Sequence, residues 1–146
     1  MRYLGFPAND FMPTPKEIVQ TMMAKDFFSQ WLGIEVIAIQ EGYCKLKLKV
    51  RKEMLNGFGI AHGGITYCLA DSALAFASNS YGDQCVSMET SISHTERVKE
   101  EDVLTAEAKE MIRGRKIAIY EVRILNQENR TVGLFKGTIF ITDKKW

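Results

Sequence analysis

Between Gly57 and Gly82 the chain reads GFGIAHGGITYCLADSALAFASNSYG, and in this whole run Asp71 and His62 are the only acidic or basic residues. Ile65, Tyr67, Cys68, Leu69, Ala70, Ala73, Leu74, Ala75, Phe76 and Ala77 cover almost the full circumference of a helix, so that helix must be enclosed on nearly every side by the rest of the fold. Asp71 lies in its middle, too far from either end to serve as an N-cap, and an unpaired buried carboxylate is costly. The residues alone leave two roles open for it: a hydrogen bond across an internal packing face, or contact with a ligand. The adjoining His62-Gly63-Gly64 turn favours the second, because glycines at a loop-to-helix junction let a ligand approach backbone N–H groups at the positive end of the helix dipole. Such amides suit an oxyanion.

The same stretch cannot cross a membrane: His62, Asp71, Ser72, Ser78 and Asn79 are each expensive in hydrocarbon. With 146 residues, 46% of them hydrophobic and 25% charged, the chain has the size and composition of one globular domain spanning 1–146. Nineteen Lys and Arg against eighteen Asp and Glu give a net charge of +1, which excludes a broad electrostatic footprint for nucleic acid, so any anionic ligand is bound locally. Cys44, Cys68 and Cys85 are odd in number and lack the CxxC spacing of a zinc or redox site, and no cofactor or metal is expected. Reduced thiols, and an N-terminus with Asn9 and Asp10 in place of a basic start and long apolar run, predict a cytoplasmic protein.

Thr14, Pro15 and Glu17 form a helix start, with Thr as cap, Pro in the first turn and Glu to complete a capping box. One short helix is predicted, ending near Gly33, with Ile18, Met22, Phe27, Phe28 and Trp31 packed over a larger body as a brace within residues 1–32. Alternating apolar and lysine positions from Tyr43 to Val50 predict a half-buried strand, joined through Glu41 and Gly42 to an earlier one, Ile34 to Ile39. Four further strands are predicted at about Cys85–Glu96, Val103–Ile112, Lys116–Leu125 and Thr131–Thr142, reversing at Arg113-Gly114 and at Asn126 to Arg130. The order is therefore α+β: an antiparallel sheet around one helix.

Two other motifs fail on inspection. Gly57, Gly59, His62 and Gly63 approach a dinucleotide fingerprint, but the spacing is wrong and R-K-E-M-L-N before it is not a buried strand. His62 with Cys68 suggests a Cys-His nucleophile, but a cysteine inside an apolar helix has nothing to activate it and reads as core.

N-G-x-x-x-x-H-G-G at Asn56 to Gly64, followed by L-A-D at Leu69 to Asp71, resembles the hotdog-fold thioesterases, and among them the phenylacetyl-CoA (PaaI-like) thioesterases. L-G-I-E at Leu32 to Glu35, the helix end at Asn79 to Gly82 and the final strands extend the resemblance over nearly the whole chain. It implies a curved antiparallel sheet wrapped around the Gly64–Tyr81 helix, and hydrolysis of an aromatic or short-to-medium-chain acyl-CoA. It also implies site roles: the Gly63 amide polarises the thioester carbonyl, Asp71 acts as nucleophile or as general base on water, and Asn56 helps position it. By the same resemblance His62 orients the loop and Ser87 positions water. Gly64, Leu55 and Tyr67, with Phe58, Ile60 and Phe76, are expected near the acyl group, with core packing as the alternative role for each of the apolar side chains. Arg113, Arg115 and Lys116 form the best local site for the phosphates of coenzyme A, with a solvated hairpin as the alternative.

Gly63 and Asp71 are eight residues apart, roughly 12 Å along a helix that rises about 1.5 Å per residue. One carbonyl carbon cannot lie about 3 Å from groups at both positions of the same chain. Two helices antiparallel across a two-fold axis would solve this, which predicts a homo-oligomer, at least a dimer and by resemblance a tetramer. The rival functions are a hotdog hydratase or dehydratase with His62 as acid-base group, and a non-catalytic acyl-CoA sensor.

Overall fold

The computed structural model describes residues 11–146. Two short helices come first, α1 (Pro15–Met23) and α2 (Phe27–Leu32), then strands β1 (Glu35–Gln40) and β2 (Tyr43–Lys49), a 3-10 turn at Lys52–Met54, and the long helix α3 (Gly63–Asn79). Four strands follow: β3 (Asp83–His94), β4 (Val103–Arg113), β5 (Ile117–Leu125) and β6 (Thr131–Lys145). All six pair antiparallel in one sheet, ordered β1-β2-β4-β5-β6-β3.

Side-chain alternation sets the sheet's inner face. Cys44, Leu46 and Leu48 of β2 are buried while Lys45, Lys47 and Lys49 point outward, and Leu104, Ala106 and Ala108 of the neighbouring β4 fall in the same layer. Onto that face packs α3, which touches β2, β3, β4, β5 and β6. Leu69, Ala70, Ala73, Leu74, Phe76 and Ala77 are its buried side. Contact is close at Gly137 of β6, where any side chain would collide with Leu74. Buried Asn79 pins the helix end, its Oδ1 accepting from Cys85 N–H (2.9 Å) and from Trp146 Nε1–H (2.8 Å).

The N-terminal segment differs from the single helix predicted. Thr14 and Glu17 do make the capping box, Glu17 N–H donating to Thr14 Oγ1 at 3.3 Å and Thr14 N–H to Glu17 Oε2 at 2.8 Å. The helix stops at Met23 because Asp26 caps a second one, accepting from Ser29 N–H at 2.9 Å, and Gly33 in the left-handed conformation ends it. Ile18 is buried as expected, but Phe27, Phe28 and Trp31 are 75%, 53% and 57% exposed: they lie on the outer face of α2, while Ser29 and Leu32 face inward. The part of the predicted brace within residues 1–10 lies outside the described residues. Smaller shifts, α3 at 63–79 where 64–81 was predicted and β3 starting at Asp83, leave the architecture unchanged.

Candidate active site

α3 is not enclosed all round. Gly63, Gly64, Ile65, Tyr67, Cys68, Asp71, Ser72 and Ala75 are only partly buried and form a stripe along it, bordered by β3 on one side and by α2 on the other, where Ser29 Oγ and Ser72 Oγ lie 2.9 Å apart. Asp71 sits on this stripe. Among the described residues its carboxylate has neither a hydrogen bond nor an ion pair, and desolvation holds its pKa above the usual carboxylate value. A carboxylate in that state is a stronger base than a solvated one. Asp71 and Ser87 line one small cavity of about 50 Å³ with Leu74, Ala75, Ser78, Cys85 and Ile139. Cys68, expected in the core, is on the stripe instead, but burial and the charge of Asp71 both raise its thiol pKa, so it is not an activated nucleophile.

The other half of the predicted site lies at the helix N-terminus. His62 is the N-cap, and its Nδ1 accepts from Gly64 N–H at 3.0 Å, which consumes that amide. The Gly63 N–H has no partner among the described residues and is the donor left free for a ligand. Asn56 does not meet Asp71 within the chain. Its Oδ1 accepts from Phe58 N–H (2.9 Å) and its N–H donates to Ile60 O (2.8 Å), closing a tight loop bridged by Leu55 and Ala61 and tipped by Phe58, which is 90% exposed. Asn56 and Gly63 line a cavity of about 390 Å³ together with Thr66, His94 and Arg97. Asp71 is absent from its walls, so the two halves of the predicted site open into different cavities of one chain.

Tyr67 leans toward the sheet, hydrogen-bonded to Thr90 and set edge-on against Phe135 with ring centroids 5.4 Å apart. The three basic residues at the β4–β5 turn are in different situations. Arg113 is drawn inward, 3.4 Å from Glu110 and 3.6 Å from Asp83, and stacks over Tyr81 at 4.1 Å. Lys116 pairs with Asp143. Among the described residues, only Arg115 of the three has no carboxylate partner. His94 and Thr66 were not singled out from the sequence: a lone histidine at the end of β3 has no spacing signal, and only the wrapping of the sheet brings it to α3. No group of His, Cys, Asp and Glu among the described residues is placed to hold a metal ion.

The Thioesterase superfamily matches residues 58–133, which include the Gly63 amide, Asp71 and Ser87. The acyl-coenzyme A thioesterase PaaI of Escherichia coli is 36% identical over 116 residues, 80% of this chain and 83% of that one. The structure of the E. coli PaaI protein, from the phenylacetic acid degradation operon, superposes with a TM-score of 0.88 at 32% identity, covering 90% of this chain and 95% of that one. A hypothetical thioesterase protein from Streptococcus pneumoniae, solved with coenzyme A, superposes with a TM-score of 0.74 at 31% identity over 77% of this chain and 88% of that one. With its six-stranded sheet curved against α3 as in PaaI, and a sequence match across both halves of the site, this chain belongs to the thioesterase superfamily and has its hotdog fold.

Proposed function

We propose that the protein is an acyl-CoA thioesterase of the PaaI type, a single-domain hydrolase that converts an aromatic or short-to-medium-chain acyl-CoA to the free acid and coenzyme A. The observation that carries this reading is Asp71, a partly desolvated carboxylate on the open stripe of a helix whose first amide is that of Gly63, neither group having a partner among the described residues. Two unpaired groups of complementary kind are what acyl transfer needs: a base or nucleophile for attack, and a donor for the oxygen on which charge develops.

Their separation supports a second copy of the chain. The stripe on α3 is open, and among the described residues β3 pairs only with β6, leaving its other edge without a partner strand along Val86 and Met88, which are 55% and 61% exposed. An unpaired edge beside an open helix face is a surface that natural proteins cover. A two-fold partner laid antiparallel on it brings Gly63 of one protomer toward the partner's Asp71 and merges the two cavities. Dimers of this kind pair into the tetramer that the resemblance implies. Three free thiols fit a cytoplasmic setting, and no helix among the described residues is long and apolar enough to cross a membrane.

In this reading the carboxylate of Asp71 attacks directly or takes a proton from water, Ser87 holds that water, and the Gly63 N–H receives the carbonyl oxygen as it becomes anionic. Arg115, exposed at the β4–β5 turn, meets the phosphates of coenzyme A. Thiol release across a panel of acyl-CoA substrates tests the proposal, and turnover of at least one aryl or medium-chain member is expected. Hydration of an enoyl-CoA without thiol release, or tight binding without turnover, would overturn it. Arg115→Ala is expected to raise KM for an acyl-CoA several-fold while leaving a short pantetheine thioester unaffected; equal effects on both would remove Arg115 from the site.

A further inference from the structure

Gly63 has an ordinary backbone conformation, so its φ does not explain why it is glycine. Space does. A Cβ at this position would lie 3.0 Å from His94 Nε2 and 3.3 Å from His94 Cε1, closer than a side chain tolerates without moving the ring. His94, at the end of β3, therefore rests its imidazole edge on Gly63, whose amide has no partner among the described residues. Its other nitrogen is anchored: Nδ1 is 3.2 Å from the Oγ1 of buried Thr66, which also lies 3.0 Å from Gly63 O. His62 cannot take this role with its Nδ1, which is occupied by Gly64 N–H. Among the described residues His94 Nε2 has no hydrogen-bond partner, and its ring lines the same cavity as Gly63 and Asn56.

Thr66 has one hydroxyl proton and two acceptors in reach, Gly63 O and His94 Nδ1. Given to Nδ1, that proton forces the neutral ring to carry its own hydrogen on Nε2, the nitrogen beside Gly63. A protonated ring gives the same result, with Thr66 accepting from Nδ1. Both states place an N–H donor in the cavity next to the Gly63 amide; the remaining neutral state, with the Thr66 proton given to Gly63 O and the ring hydrogen on Nδ1, leaves Nε2 an acceptor, and donation by His94 requires one of the first two. The charged groups that share this cavity are Glu96, which lies 4.0 Å from Arg130, and Arg97.

We propose that His94 is a catalytic residue of this thioesterase, its Nε2–H acting with the Gly63 N–H as the second donor to the thioester carbonyl oxygen. The inference rests on the function proposed above. When the nucleophile adds to the carbonyl carbon, the π pair moves onto oxygen and both donors shorten onto it; collapse returns the pair, breaks the C–S bond and expels the thiolate. His94 keeps its proton throughout, so its part is electrostatic.

Three substitutions separate hydrogen bonding from packing. His94→Phe keeps a ring against Gly63 without a donor, His94→Gln keeps a donor without the ring, and Thr66→Val removes the hydroxyl that fixes the tautomer. With an acyl-CoA that the wild type hydrolyses, His94→Phe is expected to lose about 100 to 1,000-fold in kcat with KM within a few-fold, the cost of one oxyanion donor. His94→Gln should retain at least about ten times the kcat of His94→Phe, and Thr66→Val should fall between wild type and His94→Phe. Thermal melts matching the wild type confirm that folding is unchanged. A His94→Phe enzyme with wild-type kcat, or Phe and Gln variants of equal activity, would overturn the role of His94 while leaving the thioesterase reading intact; a wild type that hydrolyses no acyl-CoA would overturn both.

Discussion

Asp71→Asn separates function from stability at a single atom. Turnover is expected to fall by about 100 to 10,000-fold, the contribution of a positioned base. The fold should gain. Because desolvation raises the pKa of this carboxyl in the folded chain above its unfolded value, the ionised form opposes folding, and stability is lost as pH rises through the folded pKa. Asn has no charge to desolvate, so the variant should melt higher than wild type at pH 7, and the difference should vanish below about pH 3.9, where Asp is protonated in both states. Equal melting temperatures at pH 7 would mean that the carboxylate is compensated in the assembled protein. The same raised pKa predicts that wild-type kcat/KM falls on the acid side of neutrality, as Asp71 takes up its proton. Much of this was legible in the sequence, since one charge in a long apolar helix is conspicuous without any coordinates. His94 was not: a neighbour supplied by a distant strand leaves no local pattern.

At the scale of elements, the contact of α3 with the sheet carries the core, and Gly137 sets its distance. Gly137→Ala should destabilise the protein by about 1 to 3 kcal/mol, because the methyl group drives Leu74 from its place. In a Leu74→Ala background the same change should cost far less, a coupling that a double-mutant cycle of melting or denaturant curves would measure. Independent, additive effects would show that helix and sheet adjust separately. The strands were readable from period alone, most clearly Tyr43 to Val50, since lysines alternating with apolar residues admit only one face inward. The break between α1 and α2 was not, because the apolar residues on either side of Asp26 continue as a helical pattern, and only the capping bond to Ser29 shows that Asp26 starts a new helix. The outward aromatic face of α2 was misplaced for the same reason.

For the whole molecule, the proposed arrangement is a two-fold pair in which each active site takes Gly63 from one protomer and Asp71 from the other, a proposal supported by the groups on α3 and the β3 edge that have no partner among the described residues. Gly63→Pro deletes the amide donor at the first residue of the helix, where His62 before it is extended (φ −59°, ψ 137°) and the backbone accepts proline; the added Cβ also pushes the His94 ring aside, so this chain loses its whole donor side while keeping Asp71. Chains carrying Asp71→Asn and chains carrying Gly63→Pro should each be nearly inactive alone. Mixed in equal amounts under conditions that exchange subunits, half of the dimers are hybrids with one intact site of two, and hydrolysis should recover to about a quarter of the wild-type rate. Recovery to that level is the result the shared site predicts; a mixture no more active than its two parents, with hybrid formation confirmed by mass, would contradict it.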